Sequence, residues 1–414
     1  MTYYRFKESK LTKVLFGLFL FAILLLSRNT LFTSTIVGFT KAQLGMYGLI
    51  GLLGICFLLT NGKNWKQILT DGRIVVLCIC TVVMMLPMVV KQDWQTMYFS
   101  VLLCLYVAIF FSYFLTYKEI ATYFVGFMVF LGVYSVLAEY VLDAMETAGW
   151  FSVPVFRYSD DRSFRNYALA FVVAKSNYFR NYGIFREPGL YQFFLLMAMY
   201  LNNYTLSWKK IWKLWVVNGI LAITMLSTFS TVGVVAMGLF AIVLFLDKKL
   251  YQDKRVLIAL AVCAAIGVVA LIVIILQQGA LFRTLRSMVR KLYVINDSSE
   301  SRYEAIFADI WIFAHHPLFG GIFADTLYAV DHNTASTLLL YAVYGVAGGT
   351  LNVLAWVALV WRKERKLWLN LMLLMTMIMA VNTQNFTTDV FFWLFPVMAL
   401  VEHSVPMLKK GEKS

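Results

Sequence analysis

The chain has 414 residues, 61% hydrophobic and 16% aromatic, with only 14% charged. Soluble domains run at about 45–50% apolar and about 25% charged, so a soluble enzyme is excluded. The net charge of +14 would point to nucleic acid in a soluble chain. Here the basic residues sit mostly in short connections, where membrane topology explains them and no nucleic-acid partner is expected.

Repeated apolar runs predict an all-α, polytopic membrane protein of about twelve transmembrane helices, with residues 1–414 forming one integral membrane domain. The predicted spans are about 13–27, 42–60, 73–90, 97–116, 120–141, 189–204, 211–226, 229–246, 256–276, 334–360, 367–381 and 390–405. The polar turn Ser227-Thr-Phe-Ser-Thr231 divides 211–246 into two. The first apolar run reads as an uncleaved span rather than a signal peptide. Cys56, Cys78, Cys80, Cys104 and Cys263 all fall inside apolar runs and read as small buried hydrophobes, not a disulfide or metal framework.

Lysine and arginine placement orients the set. The N-terminus carries Arg5, Lys7, Lys10 and Lys13. Alternate connections carry Lys63, Lys66 and Arg73, then Lys118, then Lys209, Lys210 and Lys213. Lys248, Lys249, Lys254 and Arg255 follow, then Arg362, Lys363, Arg365 and Lys366, and the tail ends with Lys409, Lys410 and Lys413. The opposite short loops hold only Arg28, Lys41 and Lys91. The positive-inside rule puts both termini in the cytoplasm of a multi-pass protein.

Two connections are long, residues 142–188 and 277–333, and both fall outside. Long ordered loops in a compact protein are usually functional. The first is crowded with Trp150, Phe156, Tyr158, Phe164, Tyr167 and Tyr182, rings that either pack on sugar C–H faces or form an interfacial belt. Glu139, Asp143 and Glu146 recur at helical spacing where the fifth span emerges. They either meet acceptor hydroxyls or solvate a helix end. The loop closes on Arg180-Asn-Tyr-Gly-Ile-Phe-Arg-Glu-Pro-Gly-Leu-Tyr-Gln192. Pro188 marks a first helical position with Glu187 at the cap. Arg180, Arg186 and Glu187 thus gather at a helix N-terminus, where free N–H groups and the macrodipole favour an anion.

In the second loop, residues 281–295 form a basic amphipathic segment with Arg283, Arg286, Arg290 and Lys291. It lies either at the membrane surface near lipid headgroups or as a cover on the bundle. Ser301-Arg-Tyr-Glu304 reads as a capping box, which places Arg302 in the first turn of a helix running to His315. Gly320-Gly321 predicts a turn, and Asp331-His-Asn-Thr334 caps the tenth span.

The order Arg180-x-x-Gly183-x-x-x-Glu187-Pro188, Arg302, Pro317 with Gly320-Gly321, His332-Asn333 and Tyr344-Gly345-x-x-Gly348 resembles the O-antigen ligase and polysaccharide polymerase superfamily. The Phe-Arg-Glu-Pro version looks more like its Wzy-type polymerase branch. The ligase-like Ser-Arg pair expected after the seventh span appears as Ser230-Thr231. The resemblance implies a GT-C-like glycosyltransferase in the bacterial cytoplasmic (inner) membrane. Its donor and acceptor would be undecaprenyl-pyrophosphate-linked oligosaccharides, joined into a capsule, exopolysaccharide or O-antigen. Other partners would be membrane lipids, a chain-length regulator and a flippase. It implies Arg180 and Arg302 as pyrophosphate ligands and His332 as general base.

That chemistry is sound in itself. A pyrophosphate leaves as a stable anion and needs positive charge more than a proton. Arginine offers a permanently charged bidentate fork, so Arg180, Arg186, Arg302 and Arg290 are the phosphate-binding candidates. No cofactor and no metal are expected: the first external loop lacks Asp and Glu, and Asp160-Asp161 is the only acidic doublet. A helix N-terminus disfavours imidazolium and keeps His332 a neutral base, or His332 merely caps the helix. Glu187 is the second candidate base. His315 and His316 precede Pro317 and read as structural, and His403 lies on the cytoplasmic side. The alternatives are an O-antigen-type ligase or a lipid-linked oligosaccharide transporter. The transporter would show repeated halves and charged midplane helices.

Overall fold

A computed structural model describes residues 10–27, 29–61, 71–159, 162–174, 180–290, 297–322, 333 and 335–411. The described residues are mostly helical, at 76%. The first helices are α1 Lys10–Leu25, α2 Phe39–Asn61, α3 Gly72–Lys91, α4 Thr96–Phe114 and α5 Tyr117–Leu137, which a π-helical turn Ala138–Leu142 joins to α6 Asp143–Thr147. Strands β1 Val155–Ser159, β2 Arg162–Asn166 and β3 Phe171–Val173 follow. Then come α7 Pro188–Tyr204, α8 Ile211–Ser227, α9 Thr231–Asp247, α10 Lys254–Gln277, α11 Ala280–Arg290 and α12 Asp297–His315. The last are α13 Ser336–Val360, α14 Leu367–Val381 and α15 Val390–Gly411.

A helix lies over each of the twelve apolar segments. Among the described residues, five are long and apolar enough to cross a membrane: Gly72–Lys91, Thr96–Phe114, Tyr117–Thr147, Lys254–Gln277 and Ser336–Val360. That supports membrane association. Most other apolar helices run only 10–17 residues, below the roughly 20 that a bilayer core asks for.

The chain divides into two compact units, Met1–Phe127 with Asp297–Trp361 and Val381–Ser414, and Met128–Asn296 with Arg362–Ala380. In the first unit α4 packs on α15 and α3, and α13 packs on α15 and α12. Large apolar side chains fill it: Phe124 meets Phe391 and Phe395, Tyr344 meets Tyr98 edge-on, and Trp356 meets Phe392. Asp389 is buried and receives the Ser27 hydroxyl and the Asn29 amide, so its charge is hydrogen-bonded as burial requires.

The long helix α13 is broken at Gly345, where φ is 67° and ψ −165°. A break inside a helix leaves backbone groups without partners. Here the turn after α12 supplies them. Val346 N–H donates to the Pro317 carbonyl at 2.7 Å, and Gly321 N–H donates to the Ala342 carbonyl at 2.8 Å. Lys91 Nζ donates to the carbonyls of Gly321 and Val343, both at 2.7 Å. The Pro317, Gly320-Gly321 and Gly345 motifs are therefore parts of one backbone joint.

In the second unit α7 packs on α8 and α9, and α7 is buried along nearly its whole length. Strands β1, β2 and β3 form a small antiparallel sheet, order β1-β2-β3, an addition to a chain that is otherwise consistent with the all-α expectation. Phe156 pairs across with Phe164, and Phe164 with Val173. Alternating aromatic and polar residues are a strand signal that reads on the sequence as mere aromatic crowding. Its inner edge packs on the π-helical turn, where Ala138 joins Tyr167, Ala170 and Val172 in a small apolar core. The Asp160-Asp161 doublet lies outside the described residues.

Candidate functional site

The Arg180–Glu187 segment is held by its own side chains. Asn181 is buried; its amide donates to the Ser135 and Ser227 hydroxyls, both at 2.9 Å, and its carbonyl oxygen accepts from Gly183 N–H at 2.8 Å. Gly183 has φ 55°, and a Cβ there would stand 2.7 Å from the Tyr191 ring, so the turn requires glycine. Phe185 is fully buried and stacks on Tyr191, whose hydroxyl meets Ser135. Glu187 takes the N-cap position in extended conformation, and Pro188 is the first helical residue, as the sequence predicts. The Glu187 side chain makes no capping bond; its carbonyl receives Leu190 N–H.

This scaffold presents Arg180, Arg186 and Glu187 half-buried at the opening of α7. The Nε atoms of Arg180 and Arg186 are both buried and have no hydrogen-bond partner. Glu139, on the π-helical turn, accepts the Arg180 backbone N–H on Oε1 at 3.2 Å. Burial pushes the Tyr182 phenol above its ordinary value, with Arg180 and Arg162 drawing it back and Glu187 and Glu139 raising it. Two arginines and two carboxylates therefore act on one ring. Arg162, the first residue of β2, had no signal in the sequence beyond its charge.

The three acids at helical spacing part company. Arg165 binds Asp143 at 2.7 Å and Glu146 at 3.0 Å, and Asp143 also accepts the Tyr167 hydroxyl at 3.1 Å. These two tie the sheet to the helix end, while Glu139 is only 6% exposed.

Arg290 is exposed at the last turn of α11. That helix is fastened by Thr231, whose hydroxyl donates to the Met288 carbonyl at 3.3 Å. The neighbouring Ser230 donates to Gln192 Oε1 at 3.0 Å and caps α9. The Ser230-Thr231 turn thus connects three helices.

Arg302 and Asn333 belong to the first unit. Helix α12 begins at Asp297, not at the Ser301 capping box. Arg302 therefore falls in the second turn, beyond the reach of the N-terminal dipole. His332 lies outside the described residues, as do Asp331 and Thr334. Asn333 is buried; its Nδ2 donates to both oxygens of Asp309, at 2.8 and 2.7 Å, and its Oδ1 receives Ala335 N–H at 2.7 Å. Burial pushes the Asp309 carboxyl up to about 7, against the pull of the Asn333 amide. His315 is exposed and bonds the Trp311 carbonyl through Nδ1, a local helix-end contact.

Comparison of the chain with protein-family models, with curated proteins and with solved structures gives no match.

Proposed function

We propose that the chain is a membrane glycosyltransferase of the polysaccharide-polymerase type. It joins undecaprenyl-pyrophosphate-linked oligosaccharides on the outer face of the bacterial cytoplasmic membrane. Twelve crossings with both termini in the cytoplasm and a GT-C-like arrangement are part of this proposal. The observation that carries it is the pair of buried Nε atoms of Arg180 and Arg186 without partners at the opening of α7. A buried guanidinium donor left unmade costs free energy, and such groups persist where a ligand completes them. Two guanidinium forks at a helix N-terminus suit a pyrophosphate.

In the proposed reaction an acceptor hydroxyl attacks the anomeric carbon opposite the leaving group, and the carbon–oxygen bond to pyrophosphate breaks. The electron pair departs with the pyrophosphate, whose charge the arginines hold. The resemblance gives Arg302 as a further phosphate ligand and His332 as the base; Arg290 is a phosphate candidate on its charge, and Glu187 is the rival base. A chain-length regulator and a flippase are the protein partners it implies.

The test is elongation of purified lipid-linked repeat units by the protein in nanodiscs, with and without EDTA. Wild type should give a polymer ladder in both. Arg180→Lys keeps the charge but loses the fork and should already impair the rate. Loss of the leaving-group contact in Arg180→Ala should slow it about a hundred- to thousandfold. A wild type that leaves single units untouched, or an Arg180→Ala variant that elongates normally, overturns the reading.

A further inference from the structure

Glu139 is the carboxylate that the scaffold does not use up. Its Oε1 receives the Arg180 N–H, and its Oε2 is buried with no hydrogen-bond partner. Asp143 and Glu146, on the following turn, are both taken by Arg165. The π-helical turn Ala138–Leu142 explains the difference, because one extra residue per turn changes the face on which the next side chains emerge. Asp143 and Glu146 then meet the sheet, and Glu139 stays inside, at the Ala138 end packed on Val172.

The Arg180 loop and the π-helical turn hold between them an idle acceptor and two idle donors: Glu139 Oε2, Arg180 Nε and Arg186 Nε. In a purely structural ion-pair network these groups would satisfy one another. Their complement is a ligand with anionic oxygens for the guanidiniums and an O–H donor for the carboxylate. A sugar joined to a phosphate carries both within a few bonds. The aromatic rings of the same loop, Tyr182 and Phe164 packed edge to face, leave the polar work to these three side chains.

We infer that Glu139 Oε2 receives a hydroxyl of the first sugar of the lipid-linked glycan, beside the pyrophosphate held by Arg180 and Arg186. This inference rests on the proposed function and names a specificity residue for it. Glu139 would select glycan-bearing lipid over bare lipid pyrophosphate, and the arginines would bind either.

The experiment measures binding of two probes to the purified full chain: a polyprenyl pyrophosphate without sugar, and the lipid-linked repeat unit. Glu139→Gln retains an oxygen for the Arg180 N–H but places an NH2 donor where Oε2 would receive the hydroxyl. It should bind the sugar-free lipid as wild type does and the glycan-bearing lipid about tenfold or more weakly. Equal binding of both probes by Glu139→Gln and wild type overturns the inference. So does a parallel loss of both, which would make Glu139 a positioning residue for Arg180 alone. Should Glu139→Gln not fold, Glu139→Asp decides, since a shortened carboxylate should lower selectivity for the glycan while sugar-free binding stands. Unchanged selectivity in Glu139→Asp overturns it. A wild type that binds neither probe overturns the proposed function itself.

Discussion

Gly345→Ala tests the backbone joint that breaks α13. Gly345 has φ 67° and ψ −165°, a region open essentially to glycine, and forcing another residue into it costs about 1–3 kcal/mol. An added Cβ would also stand 2.2 Å from the Leu318 carbonyl oxygen and 2.4 Å from its carbon. Those are main-chain atoms of the docked turn and have no rotamer to escape into. Overpacking of this kind adds about 1–3 kcal/mol, so the variant should lose about 2–6 kcal/mol. The assay is unfolding of detergent-solubilised protein followed by circular dichroism. Gly238→Ala is the control, because nothing lies within 4 Å of its Cβ position in α9. There a better helix former should be neutral or mildly stabilising. Gly320→Ala attacks the same joint from the other side, its Cβ 2.4 Å from the Val343 carbonyl group. Once one substitution has parted the joint the second has little left to break, so the double variant should lose less than both losses together. A Gly345→Ala protein as stable as wild type, or losses that add fully, would refute the joint.

Two further outcomes are expected. Burial lifts the Asp309 carboxyl from 3.8 to about 7, so the folded state holds this proton more tightly than the unfolded chain. Its stabilising effect is full below about 4 and is lost as pH rises through about 7. The stability difference between wild type and Asp309→Asn should fall across that window; a flat difference contradicts the assignment. For topology, a cysteine at Ser163 in β2 should react with a membrane-impermeant thiol reagent applied to whole cells, and one at Lys249 should not. The reverse labelling pattern would remove the outer-face site together with the topology.

What the sequence made legible follows from periodicity. Apolar runs marked the helices because apolar surface leaves water whether a protein core or a lipid takes it in. They did not settle how many cross a bilayer, since a 15-residue helix such as α14 carries the same apolar signature as a full span. The sheet was missed because its strands are only three to five residues long and their aromatics suit a membrane interface equally well. The capping box at Ser301 misled for a related reason. A local Ser-x-x-Glu pattern signals a helix start only if the preceding residues are not helical, and here Asp297–Glu300 already are.

The site was legible where it depends on residue type and obscure where it depends on helix phase. Arg180, Arg186, Glu187 and Pro188 could be read because proline at a first helical position fixes its neighbours around a known terminus. Glu139, Asp143 and Glu146 could not be told apart, because 3.6-residue spacing treats them as one face. A single π-helical turn breaks that equivalence, sending two carboxylates to Arg165 and leaving one buried beside the Arg180 backbone. Tyr344-Gly345 and Gly320-Gly321, which the motif order placed with the chemistry, turn out to close a main-chain joint with Lys91. A set of motifs read along one sequence can thus mix polar side chains left without protein partners and residues that let two backbones touch. Buried donors and acceptors separate the two kinds. The joint's main-chain groups bond one another, while the Arg180 loop and the turn beside it leave three buried side-chain atoms without a protein partner.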